Sequence, residues 1–203
     1  MQKDLVLANQ DINNYLKNSE IIDFESPEIQ DIANNLTQGN FDETVIAKKA
    51  FEFVRDNIAH SADINGDVVT YKASEVLKHR QGICYAKSHL LAAILRRLGI
   101  PTGFCYQKLL LDDKGKRRLI IHGLNAVFLK SINKWIRVDA RGNKEGVNAE
   151  FCLDKEKLAF PIRRELGEED ILVIYATPNS NVLDALKSSQ NVAELINNLP
   201  SDL

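Results

Sequence analysis

Apolar positions along the chain change from mostly helical to strand-like spacing near residue 100, and the fold divides there. Before it the spacing is helical. Leu5, Ile12, Tyr15 and Leu16, then Ile29, Ile32 and Leu36 behind Ser26-Pro27-Glu28, predict two amphipathic helices within residues 1–40, stopped at Gly39-Asn40. From Phe41 to Ile58, Val45, Ile46, Ala50, Phe51, Val54 and Ile58 predict a third helix that Asp42 can cap. SADINGD predicts a loop with a turn at Asn65-Gly66, Val68–Tyr71 a short extended piece, and Ala73–His79 a short helix running into an Arg80-Gln81-Gly82 turn. The next helix starts at Cys84. Leu90, Leu91, Ala92, Ala93, Ile94, Leu95 and Leu98 leave it only a narrow polar stripe with His89 and Arg96, the pattern of a buried central helix that Gly99 and Pro101 end.

Beyond Thr102 residues 103–111, 118–129 and 134–139 predict an antiparallel meander with turns at DDKGK and KSIN. ARGNKEGVNAE predicts a loop, followed by KEKLAFP, a further strand at 171–175, and two short helices around 182–186 and 192–199. The expectation is an α+β fold in a single domain over residues 1–203, with 1–40 a helical cover, 41–140 the catalytic core and 141–203 a C-terminal extension.

Composition narrows the function classes. A net charge of −2 argues against nucleic acid as a partner, and no stretch reaches the roughly 18 to 20 apolar residues that span a bilayer, so no membrane partner is expected. The first residues lack the apolar core and cleavage site of a signal peptide. Three cysteines, Cys84, Cys105 and Cys152, form no CxxC pair and cannot all be paired, which suits a reducing, cytoplasmic compartment. Short Cys/His pairs are missing, so neither a metal nor a cofactor is expected.

Cys84 carries the candidate chemistry. It follows a glycine turn and begins a helix, where unpaired backbone N–H groups favour a thiolate and can receive an oxyanion. A nucleophilic thiol needs a base, and the base needs an orienting group. His122 starts one predicted strand and Asp139 ends the next, so neighbouring antiparallel strands can bring them side by side. Each residue also has an ordinary structural reading: a buried cysteine, a core histidine, a strand-ending aspartate. Cys105 and Cys152 are expected to be small packing residues; His60, His79 and His89 are expected to be structural or exposed, His89 lying about 140° around the helix from Cys84.

Gly82-Ile83-Cys84 before an apolar helix, Arg97-Leu98-Gly99-Ile100-Pro101 after it, then His122, Trp135 and Asp139 in that order, together resemble the transglutaminase-like, papain-related superfamily over roughly residues 45–140. Ala73-Ser74-Glu75-Val76-Leu77 resembles the short helix that precedes the family's cysteine, and Leu124 stands where members often carry an aromatic. The resemblance implies a papain-like core in which Cys84, His122 and Asp139 transfer the acyl group of a peptide, protein or small amide substrate. The Cys84 N–H would be one oxyanion donor, with Tyr71 or Gln81 a second. Trp135 would pack near the aspartate or line the cleft, and Arg141 would sit on the solvated surface or hold an acidic or amide-bearing substrate end. Rival expectations are an arylamine-N-acetyltransferase-like enzyme, for which no phosphate-cradling loop is seen, and a binding or scaffold domain that has lost activity.

Overall fold

The computed structural model describes residues 4–39, 42–113 and 115–203. Asn40 and Phe41 of the predicted helix stop and start, and Lys114 of the predicted turn, lie outside them. In chain order the elements are strand β1 (Val6–Leu7), helices α1 (Pro27–Thr37) and α2 (Glu43–Asn57), strand β2 (Ala59–His60), α3 (Ala73–His79), β3 (Gln81–Gly82), α4 (Cys84–Arg97), β4 (Thr102–Asp113), β5 (Lys116–Leu129), β6 (Lys134–Val138), β7 (Glu169–Tyr175), α5 (Ser180–Ser188) and α6 (Val192–Asn197). Three single-turn 3-10 helices supplement them.

The helices form where local chemistry meets their free ends. Asp42 accepts hydrogen bonds from the N–H groups of Thr44 and Val45 at 2.8 and 3.1 Å and so starts α2. Glu75 accepts from the backbone of Tyr71 and Lys72 at the start of α3, and Arg80 ends that helix in the left-handed region at φ 54°.

The predicted first helix is replaced by β1 and a 3-10 turn over Ile12–Leu16. Asn9 and Asp11 accept from the backbone N–H groups of Asp11 and Asn13 at 2.9 and 3.0 Å, and these local bonds compete with a helical ladder. Residues 68–71 form no strand either; Thr70 instead donates to the Gln81 carbonyl at 3.0 Å.

Five strands make one mixed sheet in the order β1-β7-β4-β5-β6. β4, β5 and β6 are the predicted meander. β7 returns to pair antiparallel with β4, and β1 adds to β7 in parallel. A second, two-stranded sheet joins β2 to β3, with His60 opposite Gly82.

Helix α4 packs against α1, α2 and α3 and against β4 and β5. Every residue from Cys84 to Arg96 is buried. Its polar members survive there because each finds backbone acceptors: Arg96 donates to the carbonyls of Lys17, Thr102 and Ala176, and His89 bonds the Tyr71 carbonyl at 2.7 Å.

Candidate active site

The start of α4 rests directly on β5. At Gly123 an added Cβ would stand 2.7 Å from the Tyr85 ring and 3.5 Å from Tyr85 Cα, so only glycine permits this approach. The Tyr85 hydroxyl donates to the Ile121 carbonyl, while the Ile121 N–H donates to the Pro200 carbonyl at 2.8 Å. His122 is therefore carried by a strand gripped on either side of it.

His122 hydrogen-bonds Asp139 through Nε2 at 2.8 Å, and the Cys84 sulfur lies near enough to the ring to favour its protonated form. Both side chains of the imidazole–carboxylate pair are almost wholly shielded from water, and Cys84 is 9% exposed. Asp139 also accepts the backbone N–H of Arg141 on Oδ1 at 3.1 Å and that of Ala159 on Oδ2 at 3.2 Å. Burial works against charge on His122, but the Asp139 carboxylate and the Cys84 sulfur outweigh it and raise the imidazole to about 10. Asp139 is likewise opposed by burial and held below the ordinary carboxylate range by His122 and the two N–H groups. The structure thus brings together Cys84, His122 and Asp139, with the imidazole between the cysteine sulfur and the carboxylate.

Of the other predicted residues, Arg141 adjoins the site through its backbone bond to Asp139 and the rest are dispersed. Gln81 lies three residues before Cys84 on β3; its buried Oε1 faces Gly66, where a Cβ would come within 2.1 Å, and it has no hydrogen-bond partner among the described residues. Tyr71 gives its carbonyl to His89 and sets its ring 5.9 Å from Lys187 Nζ. Trp135 packs on Tyr15 and Phe128 with centroids 5.0 and 5.4 Å apart. Trp135 also lines a cleft of about 520 Å³ with Lys134, Arg137, Cys152 and Glu156, a cleft to which Cys84, His122 and Asp139 do not contribute. Leu124 is fully buried against Tyr15, Cys105 and Ile174, so its side chain fills a packed cluster. Arg141 pairs with Asp63 through both terminal nitrogens, one at 2.8 Å.

Several residues at the site escape sequence reasoning. Phe160 stands edge-on to the His122 ring at 5.1 Å, and nothing in KEKLAFP marks it. Asp63 joins Arg141 and Lys144 from a loop that reads only as a turn. His60, beside Gly82, keeps Nδ1 buried and without a partner among the described residues; burial and then Arg141 lower it to about 3, so it stays neutral. Lys87 is buried one helical turn beyond Cys84 and donates to the carbonyls of Arg55 and Ile58. Among the described residues no cluster of three or more His, Cys, Asp or Glu is arranged to hold a metal ion, and no helix is long and apolar enough to cross a membrane.

Comparison with known proteins gives the fold a context. A candidate cysteine protease from Cytophaga hutchinsonii superposes with a TM-score of 0.52 at 18% identity, over 66% of this chain and 43% of that one. The periplasmic domain of TgpA from Pseudomonas aeruginosa gives 0.46 at 15% identity, over 64% and 47%. The chain spans less than half the length of these two structures. No curated protein matches it. The model of the transglutaminase-like superfamily matches residues 30–140, a segment that runs from α1 through β6 and contains Cys84, His122 and Asp139. With more than half of its length so matched, and a Cys-bearing helix packed on the antiparallel strands β4 and β5 of a curled mixed sheet, the chain belongs to the transglutaminase-like superfamily.

Proposed function

We propose that the protein is a cysteine-dependent acyl-transfer enzyme acting on an amide bond, with Cys84 the nucleophile, His122 the proton carrier and Asp139 its orienting partner. The observation that carries this reading is the buried chain of contacts from Cys84 through His122 to Asp139. In the first step the sulfur attacks the amide carbonyl and the carbonyl π electrons move onto oxygen, beside the free N–H groups at the start of α4. Collapse expels the amine, which takes its proton from His122, and leaves a thioester on Cys84. In the second step water or an amine gives a proton to His122 as it attacks the thioester, and the thiolate leaves.

Alkylation of Cys84 by iodoacetamide at pH 6, read by peptide mass so that Cys152 is counted separately, tests the reading. A free thiol with its midpoint near ~8.5 is under about 1% ionised there. Cys84 is expected to react at least about tenfold faster than N-acetylcysteine and to lose that advantage in His122→Ala. A Cys84 no faster than the free thiol would make the domain a binding scaffold. Where the advantage holds, trapping the acyl group on Cys84 with an activated amide identifies the thioester.

A further inference from the structure

We propose that Asp63 is a positioning residue of this site: through Arg141 it clamps the loop after β6 to the loop before Cys84, and so fixes Asp139 and the ring of His122. The inference rests on the acyl-transfer reading for its purpose, while its geometry stands independently.

Asp63 lies in the loop that leaves β2. That loop is tied to the approach to Cys84 by the backbone, since Ser61 N–H donates to the Gly82 carbonyl at 3.2 Å and Gly66 N–H returns to the Ser61 carbonyl at 2.8 Å. At its tip the Asp63 carboxylate receives both terminal nitrogens of Arg141 and, at 2.6 Å, Lys144 Nζ. Two cations from the loop after β6 thus converge on one carboxylate from the other side of the site.

Arg141 transmits the grip along two routes. Its backbone N–H holds Asp139 Oδ1 at 3.1 Å, on the carboxylate whose other oxygen orients His122. Its guanidinium lies 6.0 Å from the centre of the Phe160 ring, and that ring stands edge-on to His122. Ala159, next to Phe160, gives its N–H to Asp139 Oδ2. One residue, through its backbone N–H and its side chain, therefore backs both the carboxylate and the aromatic that bracket the imidazole. A planar fork held bidentately fixes orientation in a way that a single contact cannot. Arg141 is also only 7% exposed, so its pair with Asp63 is largely shielded from water, whereas Lys144 is about half exposed and adds charge more than geometry. The charged or titratable groups facing this cluster are His60 from β2, Lys87 from α4, and Cys84, His122 and Asp139 of the site itself.

Ring ¹⁵N titration of His122 by NMR reads the clamp in wild type, Asp63→Asn, Arg141→Lys and Leu195→Ala, the last a remote core variant that shows what lost stability alone does. Asp63→Asn and Arg141→Lys are each expected to lower the His122 midpoint by about half a pH unit or more, because a loosened Asp139 holds the proton less well. Leu195→Ala is expected to leave it in place. A fall in Asp63→Asn with none in Arg141→Lys would make Asp63 only a distant charge and overturn the proposal. So would no shift in either, or an equal shift in Leu195→Ala. If Asp63→Asn does not fold, Arg141→Lys decides, since it keeps the charge and removes the fork. The titration requires no activity, and the iodoacetamide rate of wild-type Cys84 reports separately on the acyl-transfer reading.

Discussion

An imidazole shut away from water ordinarily loses its proton; at His122 the Asp139 carboxylate, 2.8 Å away and held by two backbone N–H groups, opposes that loss together with the Cys84 sulfur. The sign of the pH effect follows. Folded His122 is raised to about 10 against 6.5 for the free side chain, so its contribution to stability is complete below pH 6.5 and is lost as pH rises toward 10. Asp139 is lowered, so its contribution is present above the ordinary aspartate value of 3.8 and is lost on acidification. Lys87, lowered to about 7 chiefly by burial, changes in the opposite sense over much of the same alkaline window, so only a difference between variants isolates the pair. Asp139→Asn should therefore be about 3–5 kcal/mol less stable than wild type in urea at pH 6. By pH 10 most of that gap should have closed; a gap that stays constant from pH 6 to pH 10 would rule out a charged His122. Cys84 and Asp139 were legible in the chain because each sits at a locally marked place, a helix start and a strand end, whereas His122, midway along β5, was legible only from its order between them. Phe160, Asp63 and Lys87 were not, since a loop aromatic, a turn aspartate and one lysine on an apolar helix acquire meaning only from what lies across from them.

Helix α4 and strand β5 meet through an unusually close seam, and the seam, more than the helix, decides whether a thiol reaches an imidazole. The helix itself was visible in the run of apolar residues from 90 to 95. Its seat was not, because Gly123 looks like any strand glycine until Tyr85 is found lying on it. Gly123→Ala places a methyl 2.7 Å from a ring atom of Tyr85, whose hydroxyl is itself tied to Ile121, so neither ring nor strand can yield cheaply. Overpacking of this kind costs about 1–3 kcal/mol, or several degrees in Tm for a chain of this size. The expected outcome by calorimetry is that fall in Tm. A Gly123→Ala protein as stable as wild type would show the seam to be looser than drawn.

At the scale of the whole molecule, one side of the sheet is built from both ends of the chain: β1 from the N-terminal segment joins β7 from the C-terminal third, and β7 joins β4. Periodicity cannot foresee such a joint. It finds β7 as a run of apolar residues but says nothing of its neighbours, and it reads Leu5, Ile12, Tyr15 and Leu16 as one helical stripe because a strand and a tight turn can leave the same spacing. Tyr15 fastens the joint. Its ring is completely buried with Cys105, Leu124, Ala126 and Ile174, it meets Trp135 edge-on, and its hydroxyl donates to the Ile174 carbonyl at 3.0 Å. Two substitutions separate those contributions. Tyr15→Phe keeps the ring and removes this donor from the Ile174 carbonyl, which still accepts the Ala8 N–H at 2.9 Å, a loss of about 0.5–1.5 kcal/mol. Tyr15→Ala also empties the space between the N-terminal segment and the sheet, which for a large aromatic costs about 3–5 kcal/mol, or roughly 6–20 °C in Tm. If thermal unfolding showed the two variants equally stable, the ring would not be packing the joint, and the N-terminal segment would be lying on the sheet without helping to hold it.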